Sequence, residues 1–86
     1  MASRENINTA TTRTITTGGG TLIRVVVNTT AAGTITIYDD DTAVATNKIA
    51  TIKSNVLEGV FEYGVPFTRG LTIVTAAASD ITVVYT

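Results

Sequence analysis

The sequence contains no histidine and no cysteine among its 86 residues. Histidine is the commonest general base and a frequent metal ligand, and the cysteine thiolate is the strongest nucleophile available near neutral pH. Without either residue the chain has no disulfide and no conventional zinc site. Ser3, Ser54 and Ser79 have no histidine to activate them. We therefore expect no enzymatic activity, no catalytic or metal-binding residues and no cofactor.

Charged residues are also scarce, at 15% of the chain, compared with about 25% in typical soluble domains. The net charge is −1, and the six basic residues are spread along the sequence. Because phosphate recognition needs clustered lysine and arginine, we expect no nucleic-acid partner. Tryptophan is absent as well, which removes the residue best suited to stack on a sugar ring.

Long hydrophobic runs are missing too. No stretch is apolar over the ~18 residues that a transmembrane helix needs, and residues 1–10 lack the apolar centre of a signal peptide. We expect a protein that is made in the cytoplasm and has no membrane partner.

Apolar residues are nevertheless abundant, at 44% with a mean hydropathy of +0.32. A chain of 86 residues has room for one domain, and so small a domain leaves much of its surface exposed. We expect part of the apolar surface to lie at an interface with another subunit. The alternative is that threonine, alanine and valine methyl groups are scattered over the surface.

Threonine makes up about a fifth of the sequence and alternates with valine and isoleucine in short runs. This pattern is typical of strands, and no window has helical periodicity. It predicts an all-β fold, a small antiparallel β-sandwich of jelly-roll type with six to eight short strands. The predicted strands lie at 11–17, 21–28, 34–39, 48–53, 56–65, 71–75 and 81–86.

The run at 21–28 (TLIRVVVN) is apolar on both faces, which predicts a central strand. Regular alternation places Ile23, Val25 and Val27 together on one face. Together with the run at 34–39, it predicts a β-hairpin.

The polar run at 11–17 (TTRTITT) predicts an edge strand, and Pro66 predicts an edge position or a strand end. Three glycines at 18–20 precede a strand rather than a helix, and no lysine follows them. They therefore indicate a turn and not a phosphate-binding loop.

Residues 1–10 have no periodicity, which predicts an extended, flexible N-terminal arm separate from a domain at 11–86. The arm is either a disordered tail or a segment that docks on a neighbour by strand addition. In the second case, deletion of residues 2–10 removes binding and leaves the fold intact. The candidate partner-binding residues are Arg4, Glu5, Asn6, Ile7 and Asn8.

Two groups of acids are the remaining candidates for chemistry. Asp39, Asp40 and Asp41 either bind calcium weakly or form a solvated loop, and we favour the loop because the spacing does not match an EF-hand. Glu58 and Glu62 have a separation compatible with a glycosidase pair, but many carboxylate pairs share that property.

From Gly20 onward the chain contains, in order, GTLIRVVVNTTAAGTITIYDD, KIATI, GVFEYGVPFTRGLTIVT and SDITVVYT. These phrases span about three quarters of the chain, and GLTIVT followed by a terminal ITVVY strand is the most distinctive part. In this order of phrases the chain resembles a group of small virion proteins of tailed bacteriophages and prophages.

The resemblance implies a non-enzymatic structural protein of the virion, of the head decoration (cement) or head-fibre type. Its partner would be the major capsid protein or another virion protein, and its place the capsid surface after synthesis in the host cytoplasm. We expect a homo-oligomer, with a trimer favoured because decoration proteins often occupy three-fold positions. The alternatives are a neck, tail or fibre subunit, or a small carbohydrate-binding adhesin. Arg24 either faces solvent or pairs with an acid such as Glu62.

Overall fold

The computed structural model describes residues 2–86, which form eight β-strands and one turn of 3-10 helix. This confirms the prediction of an all-β chain. Met1, the first residue of the predicted arm, lies outside the described residues. The strands are β1 (Ser3–Ile7), β2 (Thr11–Thr17), β3 (Gly20–Thr29), β4 (Ile35–Tyr38), β5 (Lys48–Ile52), β6 (Gly59–Phe67), β7 (Gly70–Thr75) and β8 (Asp80–Tyr85), and the helical turn is Ala45–Asn47.

The strands form two four-stranded antiparallel sheets with the orders β1–β8–β3–β6 (sheet A) and β2–β7–β4–β5 (sheet B). At each of the four positions, the strand of sheet A and the strand of sheet B are consecutive in the chain: β1 and β2, β8 and β7, β3 and β4, β6 and β5. This is the strand order of an eight-stranded jelly roll. The predicted jelly-roll β-sandwich is therefore confirmed.

The core lies between the two sheets. It is built from the inward-facing residues of the strands, which alternate with outward-facing residues. Most of its members are isoleucine, valine and leucine, whose branched side chains fill a pleated interior well. The residues with almost no exposure are Ile7, Leu22, Val25, Val27, Ile35, Ile37, Phe67, Leu71, Ile73, Ile81 and Val83.

β3 lies between β8 and β6, so its predicted central position is confirmed. Its faces differ from strict alternation, because the register of β3 with both neighbours shifts between Leu22 and Arg24. A bulge of this kind adds a residue and reverses the facing of everything before it. Leu22, Val25 and Val27 are therefore the buried residues, while Ile23 is only half-buried.

The predicted hairpin between the strands at 21–28 and 34–39 is wrong. β3 belongs to sheet A and β4 to sheet B, so the segment between them crosses from one sheet to the other. A hairpin and a crossing between sheets both join two alternating strands by a short turn, and the local pattern is the same for both. The two predictions of edge positions are confirmed. β2 is an edge of sheet B, and β6, which contains Pro66, is an edge of sheet A.

The N-terminal segment is extended, as predicted, but residues 3–7 are not a flexible arm. They form β1, which pairs with β8 along its whole length, and Ile7 lies opposite Ile81 with no exposed surface. The domain therefore begins before residue 11, and deletion of residues 2–10 would remove an edge strand and a core side chain. The segment lacks an apolar pattern because one buried residue and backbone pairing are enough to hold a short edge strand.

Candidate interaction surface

The five candidate partner-binding residues do not form one exposed site. Ile7 is buried in the core. Glu5 points between the sheets, where its Oε2 atom accepts a hydrogen bond of 2.8 Å from Nη1 of Arg13. Because Glu5 is on β1 and Arg13 is on β2, this ion pair joins the edges of the two sheets. Glu5 and Arg13 thus make a contact within the fold.

The other three residues remain at the surface. The Nδ2 atom of Asn6 donates to Oδ1 of Asp80 at 2.8 Å and to the carbonyl of Ile81 at 2.9 Å, which fixes its side chain. Arg4 and Asn8 are exposed. The predicted contact segment is thus reduced to isolated polar side chains.

The acidic cluster after β4 supports turns of the chain itself. The Oδ1 atom of Asp39 accepts hydrogen bonds from the backbone N–H groups of Thr68 and Arg69, each at 2.9 Å. The bond from Arg69 is the main cause that lowers the pKa of Asp39. The side chain of Asn47 donates to Asp40 at 2.8 Å and lowers the pKa of Asp40. Residues 2–86 contain no group of three or more metal-ligating side chains placed to hold an ion.

The same loop covers part of the outer face of sheet B. The Thr72 hydroxyl donates to the carbonyl of Asp40, and the Thr14 hydroxyl donates to the carbonyl of Asp41, both at 2.8 Å. Thr72 is consequently fully buried although it points away from the core. The part of the face around Thr14 and Thr72 is therefore occupied by the chain's own loop.

Glu58 and Glu62 each have a partner within the chain. Glu58 accepts a hydrogen bond of 3.0 Å from the backbone N–H of Thr30, which lowers the pKa of Glu58. Glu62 accepts a hydrogen bond of 2.7 Å from Nε of Arg24, its cross-strand neighbour. The surface formed by the described residues has no pocket in which a sugar could lie between the two carboxylates.

The outer face of sheet A remains open. Cross-strand partners have their side chains on the same face of a sheet. Two rows therefore cross this face from β1 through β8 and β3 to β6. The rows are Asn6–Thr82–Val26–Val60 and Arg4–Val84–Arg24–Glu62.

Two large apolar side chains are exposed in β6 and in the turn just before it. Leu57 is 84% exposed and Val60 is 57% exposed, and within residues 2–86 they are the two large apolar residues at this level of exposure. Leu57 lies just before β6, and Val60 lies opposite Val26. Val26 and Val84 are half-buried on the neighbouring strands. We call Leu57, Val60, Val26 and Val84 the valine surface.

The Arg24–Glu62 ion pair lies beside the valine surface. Its side chains are 40% and 64% exposed, so the pair contributes at most about 1 kcal/mol to stability. Its more important effect is local neutrality, because each charge is matched within the chain. Sequence alternation places Val26 on the face opposite Val25 and Val27, but no sequence signal marks Leu57 as exposed, because Leu57 lies in a turn.

No protein-family model matches the chain, and the comparison with curated proteins finds no match. None of the described segments is a helix long and apolar enough to cross a membrane. The functional proposal below is therefore based on the surfaces of this chain.

Proposed function

We propose that the chain is a non-enzymatic structural protein of a bacteriophage virion, a head decoration (cement) protein that binds the assembled capsid. The observation that carries this proposal is the valine surface. The two large apolar side chains that are most exposed among the described residues, Leu57 and Val60, belong to β6 and the turn before it, and Val60 lies opposite the half-buried Val26. Three of its four residues, Val26, Val60 and Val84, lie in the sequence phrases on which the resemblance to small virion proteins rests.

The chemistry of the valine surface suits a protein partner. Interface centres are apolar and depleted of unpaired charge, and here the neighbouring charges of Arg24 and Glu62 neutralise each other. Each Å² of apolar surface removed from water contributes about 25 cal/mol. Leu57 has the most to contribute, because 84% of its surface is exposed.

The mechanism is thermodynamic linkage. A protein that binds assembled capsomers but not dissociated ones raises the free energy needed to dissociate the shell. At a free concentration of ~100 times Kd, each bound site contributes about 2.7 kcal/mol. The partner is the major capsid protein or another virion protein on the outside of the head, and the two packed sheets provide a rigid support for the contact.

The adhesin alternative shares the fold, since jelly rolls occur in both capsid proteins and lectins. Four of the five aromatic side chains do not favour it. Phe67 is buried, and Phe61, Tyr63 and Tyr85 pack against the core. A sugar platform requires a flat aromatic face that is open to solvent.

The test is cosedimentation with empty heads of the phage or prophage that encodes the chain. The double variant Leu57→Ser, Val60→Thr removes apolar contact, and Val74→Thr makes the same valine change on the outer face of sheet B. We expect the double variant to bind heads at least about tenfold more weakly, a loss of ~1.4 kcal/mol. Val74→Thr should bind like the unmodified chain.

Other outcomes separate the alternatives. Equal binding by the double variant would exclude the valine surface as the contact. Binding to tails or fibres, and not to heads, would identify a neck, tail or fibre subunit. A specific, saturable hit on a glycan array together with no binding to virions would support the adhesin.

A further inference from the structure

The four edge strands of the sandwich differ in their protection against pairing with another chain. Charges, bulges and proline at an edge prevent unwanted strand addition. β5 begins at Lys48 and is followed by Lys53. β6 contains Gly64 in the left-handed conformation (φ 64) and Pro66, which has no N–H to donate. β1 is only five residues long and carries the exposed Arg4.

Of the four edge strands, β2 is the least protected against pairing, in the part of the strand that precedes its bulge. It is seven residues long, and its single charged side chain, Arg13, points between the sheets to Glu5. The exposed side chains of β2 are threonines, among them Thr12 and Thr14. A register shift between Thr14 and Thr16 ends the regular part of the strand. The part of β2 that is regular and has no unpaired charge therefore extends from the start of the strand to Thr14.

The direction of the backbone groups on β2 follows from Thr11. Its N–H donates to Oγ1 of Thr75 on β7 at 3.0 Å, and Thr11 lies opposite Thr75 in the β2–β7 register. The backbone groups of successive residues in an antiparallel strand point to opposite sides. The N–H and C=O groups of Thr12 and Thr14 therefore point away from β7, toward the open edge.

We infer that this edge binds a second copy of the chain, by antiparallel pairing of β2 with β2 about a two-fold axis. The edge is self-complementary when Thr12 of the two copies face each other. In that register Arg13 faces Thr11 of the other copy, so no like charges are opposed. Each Glu5–Arg13 pair brings no net charge to the contact. A two-fold contact uses the same patch twice and closes the assembly.

This contact is independent of the proposed function, because the valine surface lies on sheet A and remains open in the dimer. Few residues pair, so the dimer should dissociate on dilution. It also differs from the three-fold assembly that the sequence resemblance implies. Mass in solution distinguishes the two, since the chain mass is 9.0 kDa.

The experiment is light scattering from low micromolar to submillimolar concentration on the unmodified chain, Thr12→Pro and Thr12→Val. Proline removes an outward N–H that the β2–β7 ladder does not use. Valine keeps that N–H and the side-chain shape, and the Thr12 hydroxyl makes no hydrogen bond within residues 2–86. We expect a concentration-dependent dimer for the unmodified chain and for Thr12→Val. Thr12→Pro should raise the dimer dissociation constant at least about tenfold.

A monomer at every concentration, or a trimer insensitive to Thr12→Pro, would overturn the inference. If Thr12→Pro does not fold, amide hydrogen exchange on the unmodified chain decides. Exchange at Thr12 and Thr14 should slow as concentration rises, and unchanged rates would contradict the contact. Head binding by the Thr12 variants reports separately on the proposed function.

Discussion

At the scale of single residues, the three consecutive glycines at 18–20, which lead into β3, have three different structural environments. Gly18 has a φ of 82, a conformation that favours glycine. A Cβ at Gly19 would make an ordinary contact of 3.4 Å with the carbonyl oxygen of Phe67. A Cβ at Gly20 would lie 2.7 Å from Cζ of Phe67 and would clash with the carbonyl oxygen of Thr86. The sequence run predicts a turn but cannot separate these roles.

Gly19→Ala and Gly20→Ala are a matched pair of substitutions, and we expect different losses of stability from them. Gly20→Ala should lower the free energy of unfolding by about 1–3 kcal/mol, because the buried Phe67 ring and the backbone of Thr86 must both move. Gly19→Ala should change it by no more than about 0.5–1 kcal/mol, and in the stabilising direction if the site accepts the methyl group. Urea denaturation measures both values. Equal losses would show that the tight contact at Gly20 is relieved without cost.

The acidic cluster shows the same limit at residue scale. Three adjacent aspartates indicate either a cation site or a loop, and composition cannot choose between them. The choice depends on Thr68 and Arg69, which are distant in sequence and whose N–H groups meet the carboxylate of Asp39. Such a contact forms only when the turn between β6 and β7 lies beside the end of β4.

At the scale of elements, β1 depends on Ile7. β1 is the edge of sheet A and pairs with one neighbour, β8. Ile7 is its one buried side chain and contributes to the same core as Ile81 and Val83. Besides this anchor, β1 is held by its ladder with β8, by the Glu5–Arg13 ion pair and by the hydrogen bonds of the Asn6 side chain to β8.

Ile7→Ala should therefore destabilise the protein by about 2–5 kcal/mol, the range for truncating a buried isoleucine. The exposed Asn8 is the control, and Asn8→Ala should cost no more than about 0.5 kcal/mol. Thermal and urea unfolding followed by circular dichroism provide the values. If Ile7→Ala unfolds like the unmodified chain, then β1 is not part of the cooperative unit. That result would favour the sequence-based prediction of a flexible N-terminal arm.

Element prediction from this sequence succeeds where the apolar residues alternate and fails where topology decides. Strands β4 to β8 follow directly from their valine and isoleucine spacing. β1 has no such spacing, because a single isoleucine serves it. Tertiary packing sets two features that a local sequence pattern does not show. They are the bulge at Ile23 and the crossing of the chain from sheet A to sheet B between β3 and β4.

The candidate site was only partly accessible from sequence for the same reason. High apolar content with little charge predicts an interface, and alternation places Val26 on the face opposite Val25 and Val27. The exposure of Leu57 depends on the turn before β6. Of the candidate contact residues at 4–8, Glu5 and Ile7 make contacts within the sandwich, and these long-range contacts have no local sequence signal.

At the scale of the whole molecule, the two ends of the chain lie in the same sheet. β1 pairs with β8, and Thr86 exchanges backbone hydrogen bonds with Thr21 at 2.9 and 3.4 Å. No strand of sheet A pairs with the strand next to it in sequence. The sandwich closes only when the last strand is in place, so both outer surfaces belong to the complete domain and not to any shorter piece.

The valine surface leads to a prediction about the whole molecule on its partner. Charged residues make up only 15% of the chain, and the net charge is −1. The charged side chains nearest to the valine surface, Arg24 and Glu62, are paired with each other. Screening by salt weakens contacts between exposed charges but not the burial of apolar surface. Head binding should therefore change by less than about threefold when sodium chloride is raised to ~1 M, where the Debye length is about 3 Å.

Sulfate provides the matched control, because it strengthens apolar burial while it also screens charge. At the ionic strength of the sodium chloride series, cosedimentation in sodium sulfate should show tighter binding than in chloride. A loss of more than about tenfold in both salts would mean that charged residues, not Leu57 and the valines, make the contact. In that case the exposed Arg4, on the same face of sheet A, is the next residue to replace.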